Sequence, residues 1–171
     1  MLGACMGDII GSVYEFNAWK IREFPLFSEK SEFTNDTVCT IAVAECLLDG
    51  SDPAAGLRKW GYRYPGRGYG GSFSVWLRDA GMGPYNSYGN GAAMRVSPAA
   101  WLARSLDEAL ALARHVTAVS HNHPEGIKGA EATVTAIWLA RQGESPEAIR
   151  DRIRKEFGYD LSRSVDEIRP D

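Results

Sequence analysis

The sequence has no apolar run approaching the roughly 18 to 20 residues a membrane-crossing helix requires. It has no CxxC pair among its three cysteines and no excess of basic charge. Over 171 residues, 19 Lys and Arg stand against 22 Asp and Glu, a formal net charge of −3. A duplex nucleic-acid binder needs a basic surface to displace counterions from phosphates, so that class is excluded. Membrane insertion is excluded on length. The N-terminus MLGACMGDIIGS carries no Lys/Arg flank or small-residue cleavage site, and Asp8 interrupts its apolar stretch, so a cytoplasmic protein is expected. Cys39 and Cys46 fall on one predicted helix, about 10 Å apart along its axis, too far to bridge. With Cys5 they are expected to be reduced, packed thiols. No alternating strand pattern, internal repeat, low-complexity tract or linker is present, which leaves one all-α domain over residues 1–171.

What the sequence does contain is helical periodicity with clear punctuation. Leu2, Cys5, Met6, Ile9, Ile10, Val13 and Phe16 recur at three- and four-residue steps, predicting a first helix packed on a core. Gly3, Gly7 and Gly11 form a second row, expected to admit close approach of another backbone. Asp8, Ser12 and Glu15 form a third, expected to face a cleft. A second helix is predicted from Thr34 to Leu48, with Thr34 or Asn35 as cap and Gly50 beyond its end. Further helices are expected from Asp52-Pro53 to Tyr64, from Ser72 to Asp79, from Ser97-Pro98, and from the Ser105–Glu108 capping box to Val119. Two more run from Pro124 to Gly143, with an apolar face of Ile127, Ala130, Val134, Ile137 and Trp138, and from Ser145-Pro146 to Gly158. The Gly, Pro and Asn content of MGPYNSYGN, between Gly81 and Gly91, marks a loop.

Four polar groupings sit at helix ends or in Gly-rich loops: Glu15, FTNDT at Phe33–Thr37, NSYGNG at Asn86–Gly91, and SHNHPEG at Ser120–Gly126. The first three have a plain structural reading: a solvated helix residue, an N-cap at Thr34 or Asn35, and an ordinary turn with Arg95 as a helix-start charge, while His115, within a predicted helix, reads as a packed or surface histidine. The groupings also have a chemical reading. A hydroxyl and carboxylates in one helical turn supply the oxygen ligands a hard cation takes. A glycine-rich loop brings backbone N–H groups close to a diphosphate. His121 and His123 lack a third ligand at zinc spacing, which argues against a zinc site.

In this order, from GACMGDIIGSVYEF to DEIRP, the groupings resemble the ADP-ribosylglycohydrolase family, in particular its compact bacterial members. The resemblance implies a multihelical orthogonal bundle that hydrolyses the glycosidic bond at the distal ribose C1 of ADP-ribosyl groups. It implies Glu15 and Asp36 as catalytic residues, and Thr34, Asn35 and Asp36 as ligands to one side of a two-magnesium site. Ser87, Tyr88, Gly89, Asn90 and Gly91 would hold the pyrophosphate and nearby ribose, and His121 would line the pocket. The family motif at the second helix is Thr-Asp-Asp, and Asn35 in its middle position removes a negative charge and a carboxylate oxygen. The family's late Asp-x-Asp-Thr motif does not occur in the 171 residues. The domain is therefore expected to be incomplete at its C-terminus, and to associate with itself or a complementing chain. Two other readings stay open: a non-catalytic ADP-ribose-binding or structural protein retaining the fold, and a hydrolase of another phosphorylated nucleoside.

Overall fold

The computed structural model describes residues 1–16 and 23–168, and every regular element in it is a helix. In chain order these are α1 (Leu2–Gly11), α2 (Asn35–Asp49), α3 (Pro53–Arg63), α4 (Gly71–Arg78), α5 (Gly91–Met94), α6 (Ser97–Leu102), α7 (Leu106–Ala118), α8 (Pro124–Arg141), α9 (Pro146–Phe157) and α10 (Val165–Ile168). No helix among the described residues is long and apolar enough to cross a membrane.

The caps read from the sequence are made. Thr34 caps α2, Asp52 accepts from Ala55 N–H at the start of α3, and Ser145 accepts from Ala148 N–H at the start of α9. The α7 capping box closes with a shift: Ser105 Oγ accepts from Glu108 N–H, while the Glu108 carboxylate accepts from Arg104 N–H at 2.6 Å. Short α5 has no periodicity a sequence could reveal, and it turns the chain from the loop into α6.

Two helix pairs, α2 with α3 and α7 with α8, are tied together by α6, which packs on α2, α7 and α8. Alanine is the commonest residue of the buried core; Ala42, Ala99, Ala100, Ala109, Ala113 and Ala130 let the helices approach closely around Trp76, Val43, Val96, Val116 and Val134. Cys39 and Cys46 are buried free thiols in this core, and burial pushes the Cys39 thiol up to about 12.

Helix α1 departs from expectation. None of its residues is buried: Leu2 and Met6 are exposed at 81% and 53%, and Cys5, Ile9, Ile10 and Val13 are only half-buried, so the apolar stripe is incompletely covered among the described residues. A Cβ at Gly3, Gly7 or Gly11 would meet nothing within 4 Å, so the glycine row admits no close neighbour among the described residues. The polar row docks as well: Asp8 and Ser12 receive hydrogen bonds from the segment that opens α2. The helix also ends at Gly11, and Ser12 to Phe16 continue as turns.

The α2–α3 contact depends on Gly56, where a Cβ would lie 2.1 Å from Cys46 Sγ. Gly56→Ala is expected to cost about 1–3 kcal/mol by overpacking, measured by urea unfolding. In a Cys46→Ala background the same change should be neutral or stabilising by up to ~1 kcal/mol, because only the helix propensity difference remains. Equal losses in both backgrounds would contradict this contact.

Candidate active site

The first turn of α2 is held from outside its own helix. Asp8 on α1 accepts from Thr34 N–H at 2.8 Å, from the Thr34 hydroxyl at 2.5 Å and from Thr37 N–H at 3.1 Å. One carboxylate thus satisfies two backbone donors at a helix start, where the partial positive charge favours it. Ser12 adds a second tie, its hydroxyl accepting from Glu32 N–H at 3.1 Å. From the other side, Asn35 N–H donates to Arg67 C=O at 2.6 Å, so the loop after α3 closes over Phe33–Asn35.

This arrangement gathers negative charge. Burial pushes the Asp36 carboxyl up to about 6, and the charges of Asp8 and Glu15 raise it further within that shift. Glu15 is exposed in the turn after α1, within electrostatic reach of Asp36. No cationic side chain among the described residues forms an ion pair with Asp8, Glu15 or Asp36.

A cavity of about 230 Å³ adjoins this acidic turn. It is lined by Asn35 of α2, by Gly70 and the start of α4 from Gly71 to Phe73, by Tyr85, Ser87, Gly89, Asn90 and Gly91, and by Met94, Arg95 and His121; Thr34, Asp36 and Glu15 do not line it. The Asn35 amide Nδ2 is turned toward Met94 Sδ at 3.7 Å. Of the predicted loop residues, Tyr88 alone does not line the cavity; it is 73% exposed and its ring lies against His123.

The loop is pinned to the α7–α8 connection. Tyr85 N–H donates to Ser120 C=O, and Asn86 N–H to Asn122 Oδ1 at 2.7 Å. Gly91 allows His121 to come close: a Cβ there would lie 2.9 Å from His121 Nε2. The two histidines separate in role. His123 caps α8, its Nδ1 accepting from Glu125 N–H, whereas His121 is buried against the cavity with its pKa pushed down to about 4, first by burial and then by the Arg95 charge.

Arg95 is the residue whose place the sequence did not reveal. It is more than a helix-start charge: it is completely buried between α5 and α6. Its Nη2 donates to Val116 C=O, Thr117 C=O and Ser120 Oγ, and Nε and Nη1 find no acceptor among the described residues. Burial draws its pKa down, yet a guanidinium stays protonated at neutral pH. Its position inside the apolar run Ala92–Pro98 was the available signal. Phe73, Ser72 and Met94 carried none.

Comparison with known proteins accords with this layout. The ADP-ribosylglycohydrolase family model matches residues 1–170. ADP-ribosylhydrolase ARH3 of Xenopus tropicalis is 29% identical over 185 residues, which cover 90% of this chain and 53% of that protein. The Homo sapiens ARH3 is 28% identical, over 85% of this chain and 50% of its own length. The Danio rerio ARH3 is 30% identical, over 84% and 47%. The chain therefore spans about half the length of the curated relatives it matches.

The raised Asp36 carboxyl has a sign that unfolding can read. Folding favours its protonated form, so its contribution is fully present below the ordinary value of 3.8 and is lost as pH rises through about 6. In chelator, the stability difference between the wild-type chain and Asp36→Asn should shift in favour of the amide variant across this window and level off above it. Taking the difference cancels the exposed carboxylates, such as Glu45 and Asp160, whose pKa values are lowered. A difference independent of pH would contradict the acidic cluster.

Proposed function

We propose, for a chain that belongs to the ADP-ribosylglycohydrolase family, that this cleft hydrolyses the glycosidic bond at the distal ribose C1 of an ADP-ribosyl group. The observation that carries the reading is the polarity of the cleft. The buried Arg95 guanidinium, His121 and the glycine-rich loop line the cavity together with Asn35; Asp36, next to Asn35 in the first turn of α2, does not line it but adjoins it, with the charges of Asp8 and Glu15 acting on it. An ADP-ribosyl group has matching polarity, with a diphosphate dianion at its centre and a neutral distal ribose beyond it. The cationic end holds the diphosphate, through loop N–H groups and the field of Arg95. The distal ribose then falls beside the acidic turn.

The reaction adds a water oxygen to C1 as the bond from C1 to the acceptor nitrogen or oxygen breaks. Glu15 takes the water proton as the new bond forms, and the departing acceptor receives a proton in exchange. Asp8 acts at one remove, fixing Thr34 and the first turn of α2 so that Asp36 stays aimed at the ribose end.

Magnesium is part of the same proposal. Thr34, Asn35 and Asp36 present oxygen donors only, in a turn with surplus negative charge, which suits a hard divalent cation. Among the described residues no three His, Cys, Asp or Glu side chains cluster as a complete metal site, so hydroxyl and amide oxygens are needed beside Asp36. When bound, the metal supplies Lewis-acid polarisation of water and ribose hydroxyls. A second reading, a binding protein without turnover, has one observation in its favour: Asn35 stands where the family motif has Asp, and its amide nitrogen faces Met94 Sδ.

Calorimetry with ADP-ribose is expected to show binding that tightens when magnesium is added; no binding in either condition contradicts the proposal. Gly91→Ala, by displacing His121, should weaken binding on the order of tenfold, ~1.4 kcal/mol. Asn35→Asp should raise turnover of an ADP-ribosylated substrate if the chain is an enzyme. Tight binding with no turnover in either form would favour the binding-protein reading.

A further inference from the structure

The polar contacts beneath His121 form a directed chain. Arg95 Nη2 lies 2.8 Å from Ser120 Oγ, which lies 2.9 Å from His121 Nδ1. A guanidinium can only donate, so the serine oxygen accepts from it. The Ser120 side chain is completely buried and has no third partner among the described residues. Its hydroxyl hydrogen therefore has one acceptor within reach, the Nδ1 lone pair. If Nδ1 carried the proton instead, both N–H groups would point at the same serine oxygen and a buried O–H would be left without an acceptor, which is costly.

We infer that Arg95 and Ser120 are positioning residues that lock His121 as the neutral tautomer protonated at Nε2. The ring then presents a fixed N–H donor to the cavity, and cannot serve there as a base or a metal ligand. Three features converge on this. Arg95 is anchored to Val116 C=O and Thr117 C=O at the end of α7, so the first donor in the chain cannot swing away. The ring is fenced by Tyr85 and Phe73, with centroids 5.8 and 6.3 Å away, which restrict rotation. Nε2 faces Gly91 and Gly89 at the cavity wall, on the side opposite Ser120. The adjacent guanidinium also opposes a second proton on the ring.

A neutral donor beside a buried cation suits an anionic oxygen, and the polarity holds across neutral pH because neither group needs to titrate. That the oxygen belongs to a diphosphate rests on the ADP-ribosyl reading; the tautomer does not.

The direct test is long-range ¹H–¹⁵N correlation of the imidazole rings at pH 7 in the full chain, with His121 assigned by its loss in His121→Asn. The expected spectrum shows a pyrrole-like Nε2 and a pyridine-like Nδ1. A protonated Nδ1, or a doubly protonated ring, overturns the inference from the wild-type spectrum alone, even if the variants fail to fold. Ser120→Ala should release the ring to a mixture of tautomers and weaken ADP-ribose binding several-fold. Ser120→Thr, which keeps the hydroxyl, should restore the wild-type spectrum. A folded Ser120→Ala with the Nε2–H form unchanged overturns the relay. Failure of the wild-type chain to bind ADP-ribose, with the tautomer as expected, supports the relay and contradicts only the functional reading.

Discussion

A guanidinium taken wholly out of water, with no carboxylate against it among the described residues, is the constraint around which this molecule is arranged. Desolvating such a charge is expensive, and it persists only where fixed dipoles replace the water. Here the terminal carbonyls of α7 supply them, where the helix presents its partial negative charge, and the face of Phe73 lies 5.7 Å away. Because Arg95 must reach α7 from the turn between α5 and α6, it fixes the short helix that ends the glycine-rich loop. It also fixes the α7–α8 connection through Ser120. The cavity wall is thus built outward from one buried charge.

The acidic turn beside the cavity follows another logic. Asp8 caps α2 from a neighbouring helix, and in doing so brings its own negative charge beside Asp36 and Glu15. A cap of this kind stabilises the helix start by about 0.5–2 kcal/mol, while the like-charge crowding at Asp36 works against it. Arg95 and this acidic turn carry opposite charge, with Asn35 lining the cavity beside Asp36, and under the proposed function that separation orients a ligand carrying both a phosphate and a sugar.

Much of the fold was legible from sequence because its punctuation is local. Ser105, Asp52 and Ser145 announce helix starts whatever the tertiary context, and Gly50 and Gly158 close α2 and α9 in the left-handed conformation. What depends on partners distant in sequence was not legible. The apolar stripe of α1 promised a buried face, but periodicity says only which residues share a side, and here that side is no more than half-buried while the polar side makes the hydrogen bonds. Arg95 read as no more than a helix-start charge because its acceptors lie more than twenty residues away in α7. The loop at Ser87–Gly91, Asn35 and His121 were recognisable as a set by their motifs and do share one cavity, whereas Tyr88 points away from it. Phe73 and Ser72 entered the wall through the packing of α4, which no local pattern encodes.

The opposed polarity of the cleft is tested most directly by a crystal structure of this chain with ADP-ribose and magnesium. The expected result places the diphosphate against Gly89, Gly91, His121 and the Arg95 side of the cavity, with the distal ribose beside Asn35 and Asp36. A diphosphate at the acidic turn, or a ligand bound on another face of the molecule, would contradict it.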